Sequence, residues 1–364
     1  MQFLFNISGL LIFLSFLVTL YSYFFNNDLL IFAGILAWIS FLILFNSIKN
    51  KKMILILFIL SLIAFLISYF NGFKIDFIKV FTVNQYLLTL LIAVGFLRLI
   101  ATPKKDKLSS LPKGKQSFIK TYLGVHLFGS VINLSSLILV ADKMYKKAPL
   151  TNSQIILLTR AFSSDAYWSP FFVAFAAAIT YAPNLNTSII LLNGITLAFL
   201  AFLITYYEVI KNKEFNIDEF RGYPLSFDSL YLPFILAVLV LLTNYIYPET
   251  KVIVLISLYS MLMSLFILPL KKGFNQAISK FKLHIIDELP KMRVEMALFL
   301  VAGMFGMAVS SILIGLNLKL PFEIFDWQIA SILLLIFITL AFIGIHPIIT
   351  IAIIGDFLSG VNHT

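Results

Sequence analysis

Apolar residues fall in blocks of about 20 along nearly the whole chain, set apart by short polar segments. A helix that crosses a bilayer needs about 20 mostly apolar residues. That rule predicts spans near 3–24, 29–48, 53–71 and 84–100, and again near 188–207, 231–247, 252–270, 294–316 and 328–346. Two apolar stretches are less regular. Thr121–Val140 has a polar centre, and 152–182 is unusually long and is interrupted by Arg160 to Pro170. The chain ends with Pro347–Phe357 and a short polar tail. Of two longer polar stretches, 208–230 and 271–293, the second predicts an amphipathic surface helix. Its Phe274, Ile278, Phe281, Ile285 and Ile286 recur at helical spacing among lysines. The expected fold is all-α: a polytopic integral membrane protein with about ten spans in a single transmembrane domain covering 1–364.

Composition agrees with this reading. Hydrophobic residues make up 60% of the chain and charged residues 12%, against about 45–50% and about 25% in soluble domains. With a mean hydropathy of +0.99, lipid is the expected solvent. The net charge of +10 does not point to nucleic acid, because the Lys and Arg residues cluster in short loops. That is the positive-inside pattern, which sets orientation. Lys49, Lys51 and Lys52 form one basic loop; Lys104, Lys105, Lys107, Lys113, Lys115 and Lys120 form another. The two lie two spans apart, so both are expected in the cytoplasm together with the N-terminus. If 121–140 were a full span, Lys143, Lys146 and Lys147 would lie outside, and later Lys211, Lys213 and Arg221 too. A re-entrant hairpin keeps them all inside, and charge favours the hairpin. The N-terminus has neither the basic region nor the cleavage site of a signal peptide and reads as a retained first span. Abundant Phe, Ile, Leu, Lys and Asn suit an AT-rich bacterial genome, hence a bacterial inner membrane.

Several chemistries are excluded or disfavoured. There are no cysteines, so disulfides and thiol catalysis are ruled out. His126, His284, His346 and His363 show no metal-ligand spacing, and no resident metal or cofactor is expected, with Na⁺ as the alternative to none. No GxxxxGK[ST] loop is present for driving transport with a nucleotide.

The chain also repeats itself weakly. Pro112-Lys113 matches Pro290-Lys291, and Phe128-Gly129 matches Phe305-Gly306. Ser135-Ser136-Leu137-Ile138 matches Ser310-Ser311-Ile312-Leu313, and Ala161-Phe162 matches Ala341-Phe342. Ser169-Pro170-Phe171-Phe172 matches His346-Pro347-Ile348-Ile349. The pairs fall in order at a nearly constant offset, which predicts repeats over 84–207 and 252–364, the second without its last helix. Each unit joins a basic segment to a short stretch with Gly and a Ser pair, then to a helix broken by Pro. Backbone broken at membrane depth is tolerated only where it faces protein or a water-filled cavity, and transporters bind solutes and ions at such breaks.

This layout resembles the ion transporter superfamily, which includes the dicarboxylate/sodium symporters, arsenite permeases and membrane subunits of tripartite carboxylate transporters. The resemblance implies two repeats, each with a re-entrant hairpin and a Pro-broken helix, and solute and sodium held where hairpin tips meet helix breaks. The symporters' Ser-Asn-Thr tip is absent. Asn133-Leu134-Ser135-Ser136 and Val309-Ser310-Ser311 occupy comparable places.

Ionisable groups inside a span are costly, roughly 2.5–3.5 kcal/mol at the helix centre, so the few here need a reason. Arg160 and Asp165 share the first broken helix. Either Arg160 neutralises an anionic solute while Asp165 binds a proton or Na⁺, or the two pair to fix the break. Ser163, Ser164 and Ser169 flank the break and can ligate a cation or repair its backbone. Asn133, Ser135 and Ser136 form the first expected tip, and Ser310 and Ser311 the second, although Gly303, Gly306 and Ala308 also suit close helix packing. His346 marks the second break, with Thr350 one turn on and Asp356 beyond as a second ion-coupling candidate. His126 precedes the first tip, and Tyr167 and Trp168 can shape a site. The expected function is secondary active transport of a small anionic solute, a carboxylate or oxyanion, coupled to Na⁺ or H⁺. The alternatives are a membrane-embedded glycan- or lipid-processing enzyme and a membrane subunit that requires a partner. Expected partners are the lipid bilayer and the solute, not nucleic acid; a homodimer is compatible with the sequence.

Overall fold

The computed structural model describes residues 2–49, 51–101, 111–132, 134–181, 186–211, 216–223, 231–318, 322, 324–358 and 362–363. Asn133 and the lysines at 104, 105, 107 and 213 lie outside the described residues, as do the side chains of Ser135 and Asp356. In chain order the α-helices are α1 (Gln2–Phe24), α2 (Leu30–Leu44), α3 (Lys52–Phe70), α4 (Phe77–Thr82), α5 (Gln85–Ala101), α6 (Lys115–Ile132), α7 (Leu134–Tyr145) and α8 (Asn152–Ser163). There follow α9 (Val173–Tyr181), α10 (Thr187–Lys211), α11 (Tyr231–Ile246), α12 (Val252–Lys272), α13 (Phe274–Leu283), α14 (Arg293–Gly315), α15 (Trp327–Phe342) and α16 (Pro347–Leu358). Strand β1 (Ile324–Phe325) pairs in parallel with β2 (Asn362–His363).

Apart from that two-residue strand pair, the regular structure among the described residues is helical, and it is membrane-like. Among the described residues, seven helical stretches are long and apolar enough to cross a bilayer: 3–24, 27–47, 52–70, 77–100, 188–211, 252–272 and 274–315. Two shorter apolar helices cover 234–246 and 327–342. The Thr121–Val140 and 152–182 stretches are built from shorter helices, because each contains a chain reversal or a break.

The chain forms two compact units. The first comprises Met1–Ile92, Ala177–Asn184 and Gln276–Thr364; the second comprises Ala93–Ala176 and Leu185–Asn275. In the first unit α1 packs along α2, and α14 along α3 and α16. A buried polar junction holds it. Asn84, in the turn between α4 and α5, donates its Nδ2 to the Phe299 carbonyl at 2.7 Å, and Tyr181 donates its hydroxyl to Asn84 Oδ1 at 2.9 Å. Asn84→Ala removes both bonds from a buried junction, so thermal unfolding in detergent should show a loss of about 1–3 kcal/mol.

Two sequence expectations for this unit meet different outcomes. The chain breaks at His346-Pro347 as the Pro predicts: α15 ends at Phe342, Gly344 takes φ +95°, and Pro347 opens α16. His346 serves as the cap, its Nδ1 accepting the Ile348 N–H at 3.2 Å. Thr350 is buried on α16. At Ser310 and Ser311, by contrast, no chain reversal occurs. The helix α14 runs unbroken through both residues, and the Ser311 hydroxyl donates to the Lys74 carbonyl at 2.9 Å. The neighbouring small residues serve packing, with Gly306 set against the α16 backbone at Ala352. Small residues mark both chain reversals and tight helix crossings, and here the crossing won.

In the second unit α6 and α7 form a helical hairpin. The Ser136 hydroxyl donates to the Val125 carbonyl at 3.3 Å, although 11 residues separate them. A continuous helix would hold them about 16 Å apart, so the chain reverses between them. Both ends of the hairpin meet one segment. At the start, Gly114 N–H donates to the Phe220 carbonyl at 2.9 Å and Gly222 N–H to the Pro112 carbonyl at 3.1 Å. At the end, Lys143 Nζ donates to the Tyr223 hydroxyl at 2.8 Å. The next helix, α8, starts from the same place. Thr151 and Gln154 form a capping box, and Gln154 Nε2 donates to the Arg221 carbonyl at 2.6 Å. Lys113 also pairs with Glu219 at 2.9 Å, and this hydrogen bond holds the exposed Glu219 carboxyl below its usual range. The pair therefore helps at neutral pH, and its contribution fades as pH falls through the lowered value.

Candidate functional site

α8 runs from the hairpin's feet to Ser163 and tightens into a 3₁₀ turn over Ser164–Tyr167. The chain is then non-helical until α9 begins at Val173, with Pro170 in the gap. Pro supplies no N–H and disfavours helix in the residue before it. Ser169 repairs the break: its hydroxyl donates to the Ser130 carbonyl on α6 and accepts the Phe171 N–H at 3.2 Å.

Against this break stands His126, from the middle of α6. Its Nδ1 lies 2.8 Å from Asp165 Oδ1, 2.9 Å from the Ser164 hydroxyl and 3.1 Å from the Ala161 carbonyl. Its Nε2 accepts the indole N–H of Trp168 at 3.0 Å. Tyr122, one turn earlier on α6, places its hydroxyl 3.3 Å from that of Ser164. Asp165 has no exposed surface, and Ser164 and Ser169 are fully or almost fully buried.

Asp165 stands out within the cluster. Neither of its carboxyl oxygens has an aligned hydrogen-bond donor among the described residues. The close Nδ1 of His126 lies at ion-pair distance but off the line a hydrogen bond requires. Oδ2 fits only because residue 129 is Gly. A Cβ there would stand 1.9 Å from Oδ2 and 3.1 Å from the Ser136 hydroxyl, which puts those two oxygens within 5 Å of each other. On the other side Gly194 lets α10 close on the turn; a Cβ there would come within 2.1 Å of the Tyr167 carbonyl. An ionised carboxylate buried without donors is costly, and a proton or a small cation on the group would relieve that cost.

The structure corrects one pairing. Arg160 does not reach Asp165 and pairs instead with Glu208 of α10, both half-exposed. Helical geometry is the reason: five residues advance about 500° around a helix, which turns the two side chains well apart. Arg160→Ala or Glu208→Ala alone should lower stability by roughly 0.2–1 kcal/mol, and the exchanged pair Arg160→Glu with Glu208→Arg should recover it. A double-mutant cycle on thermal unfolding reads this. Ser163 is exposed and donates to the Thr159 carbonyl. The break thus gathers Asp165, Ser164 and Ser169, and Ser136 approaches through Gly129. Ser163 and Arg160 stay outside it.

Sequence reasoning did not single out Tyr122, Gly129, Ser130 or Gly194. The signal was present for two of them. Tyr122, His126 and Ser130 recur every four residues and form a polar stripe on an apolar helix.

A separate cleft of about 1130 Å³ opens at the hairpin's feet, lined by Lys113, Lys147, Asn152, Ser153, Glu219 and Arg221 among others. It does not include the His126–Asp165 cluster. Among the described residues no three His, Asp or Glu side chains are grouped to hold a metal ion. No protein-family model, curated protein or solved structure matches this chain.

Proposed function

We propose that the protein is a secondary active transporter for a small solute, coupled to H⁺ or Na⁺, with Asp165 as the group that takes up the coupling ion. One observation carries this reading: a carboxyl group with no exposed surface and, among the described residues, no aligned donor sits at a helix break, beside a helical hairpin, in a membrane protein. Intramembrane carboxyls of this kind suit ion and proton relays, and broken helices suit solute sites. On this reading α6 and α7 form a re-entrant hairpin whose feet lie at the cytoplasmic face, as the lysines at both feet favour. Alternating access would load Asp165 from one side and release its ion to the other.

An anionic solute, a carboxylate or oxyanion, remains the proposed class. Its support moves from Arg160, which is engaged by Glu208, to the hydroxyls around the break. The repeats over 84–207 and 252–364, with about ten crossings, belong to the same proposal. So do a bacterial inner membrane and a cytoplasmic N-terminus. A second reading, an enzyme acting on a lipid-linked substrate, is favoured by the polar cleft at the hairpin's feet.

The test is charge movement by purified protein in liposomes on a solid-supported membrane. The protein is challenged with small carboxylates and oxyanions across pH, with and without Na⁺. A current that needs both solute and cation and disappears in Asp165→Asn supports the transporter. Silence there, together with no binding of labelled solute, would shift the assignment to the enzyme.

A further inference from the structure

We infer that Trp168 is a positioning residue that holds His126 in the neutral tautomer with its proton on Nδ1, leaving uptake of the coupling ion to Asp165. The inference rests on the transporter reading and deepens it by fixing the tautomer of the ring that faces Asp165.

The argument is one of donors and acceptors. An indole N–H can only donate. At 3.0 Å from His126 Nε2 it requires a lone pair on that nitrogen. A neutral imidazole carries one proton, so it must lie on Nδ1. There it meets the Ala161 carbonyl and the Ser164 hydroxyl at hydrogen-bond distance, with Asp165 Oδ1 at 2.8 Å. An imidazolium would need an N–H on Nε2, directed at the indole N–H. Trp168 therefore opposes a charged His126 as long as the hydrogen bond lasts.

Trp168 is also the first residue beyond the 3₁₀ turn, in the non-helical segment around Pro170. The tautomer of the ring is thereby tied to the conformation of the break, because moving the indole away frees Nε2. The same contact blocks an imidazolium–carboxylate pair at rest, which would trap the site.

Other titratable and charged groups around α6 are accounted for. From the 3₁₀ turn come Asp165 and Tyr167; on α6 itself Tyr122 is the near hydroxyl, and Lys115 and Lys120 precede His126 by 11 and 6 residues toward the foot. From α8, Arg160 is paired with Glu208 of α10, and Lys211 of α10 lies over the Tyr207 ring. From α7, Lys143 is bound to Tyr223, and Asp142 lies beside it near the foot. Lys113 and Glu219 pair with each other at the foot, next to Asp218. No other charged group of the described residues forms an ion pair with His126.

Nitrogen NMR of the full-length protein, labelled with ¹⁵N-histidine and held in lipid nanodiscs, tests this without any solute. His126→Gln identifies the His126 signals. The expected wild-type spectrum shows His126 protonated on Nδ1 and bare on Nε2 at neutral pH. In Trp168→Phe the Nε2–H tautomer or the imidazolium should appear. An Nε2–H or charged His126 in the wild type overturns the inference, and that result requires no variant to fold. An unchanged His126 spectrum in folded Trp168→Phe also overturns it. Because the readout is a spectrum, it stands apart from the transport assay: a silent transporter with the expected tautomer would reject the function and leave the role of Trp168 intact.

Discussion

Asp165→Asn is expected to abolish cation-driven accumulation of solute while leaving solute exchange in place. The carboxamide keeps the size of the carboxyl group but can neither gain nor lose a proton and carries no charge for Na⁺. A cation moving down a driving force of about 100 mV supplies about 2.3 kcal/mol, enough for a solute gradient of roughly 50-fold. The variant should lose that gradient and equilibrate only. Labelled-solute counterflow in the same liposomes should continue, because exchange does not require the ion to be released. Loss of both activities, in protein that remains folded, would make Asp165 a structural or solute-binding residue and not the coupling site.

Gly129→Ala should be strongly destabilising, and in a way that depends on Asp165. Its Cβ would stand 1.9 Å from Asp165 Oδ2, in a site that has no exposed surface to move into. Overpacking of this kind costs about 1–3 kcal/mol. The diagnostic is the combination with Asp165→Ala. Shortening the side chain removes the atom that clashes, so Gly129→Ala/Asp165→Ala should be more stable than Gly129→Ala alone, yet inactive in coupled transport. Gly194→Ala provides the contrast. Its clash is with the Tyr167 carbonyl and the Trp168 Cα, both backbone, so Asp165→Ala should not relieve it. Thermal unfolding in detergent of the three single variants and the two double variants measures the two couplings. Equal behaviour of the two glycines would contradict the close fit of Asp165 against α6.

Local chemistry was legible in the sequence, and partners distant along the chain were not. Apolar blocks of helical length announced α1, α2, α3 and α12 because a lone helix in lipid must satisfy its own backbone. Pro170 and Pro347 announced their breaks for the same local reason. The hairpin at α6 and α7 was read from lysines at its two ends, since a full crossing would have carried Lys143, Lys146 and Lys147 to the far side. The site divides along the same line. Asp165, Ser164 and Ser169 were picked out as polar residues in an apolar run. The four-residue spacing of Tyr122, His126 and Ser130 lay in plain view, but nothing in it told which face of α6 meets the break. The partner of Arg160 stands 48 residues away on α10, and no periodicity points there. Ser310 and Ser311 show the opposite error: Ser and Gly fit both a hairpin tip and a helix crossing, and only the packing of α14 decides.

The central claim is that Asp165 holds the coupling ion, and infrared difference spectroscopy tests it most directly. The purified protein would be titrated in lipid film with pH and with Na⁺, and the carboxylic-acid C=O band compared between wild type and Asp165→Asn. The account predicts a band of a buried protonated carboxyl that disappears on alkalinisation or on adding Na⁺ and is missing from the variant. A carboxyl spectrum identical in wild type and Asp165→Asn under every condition would contradict it.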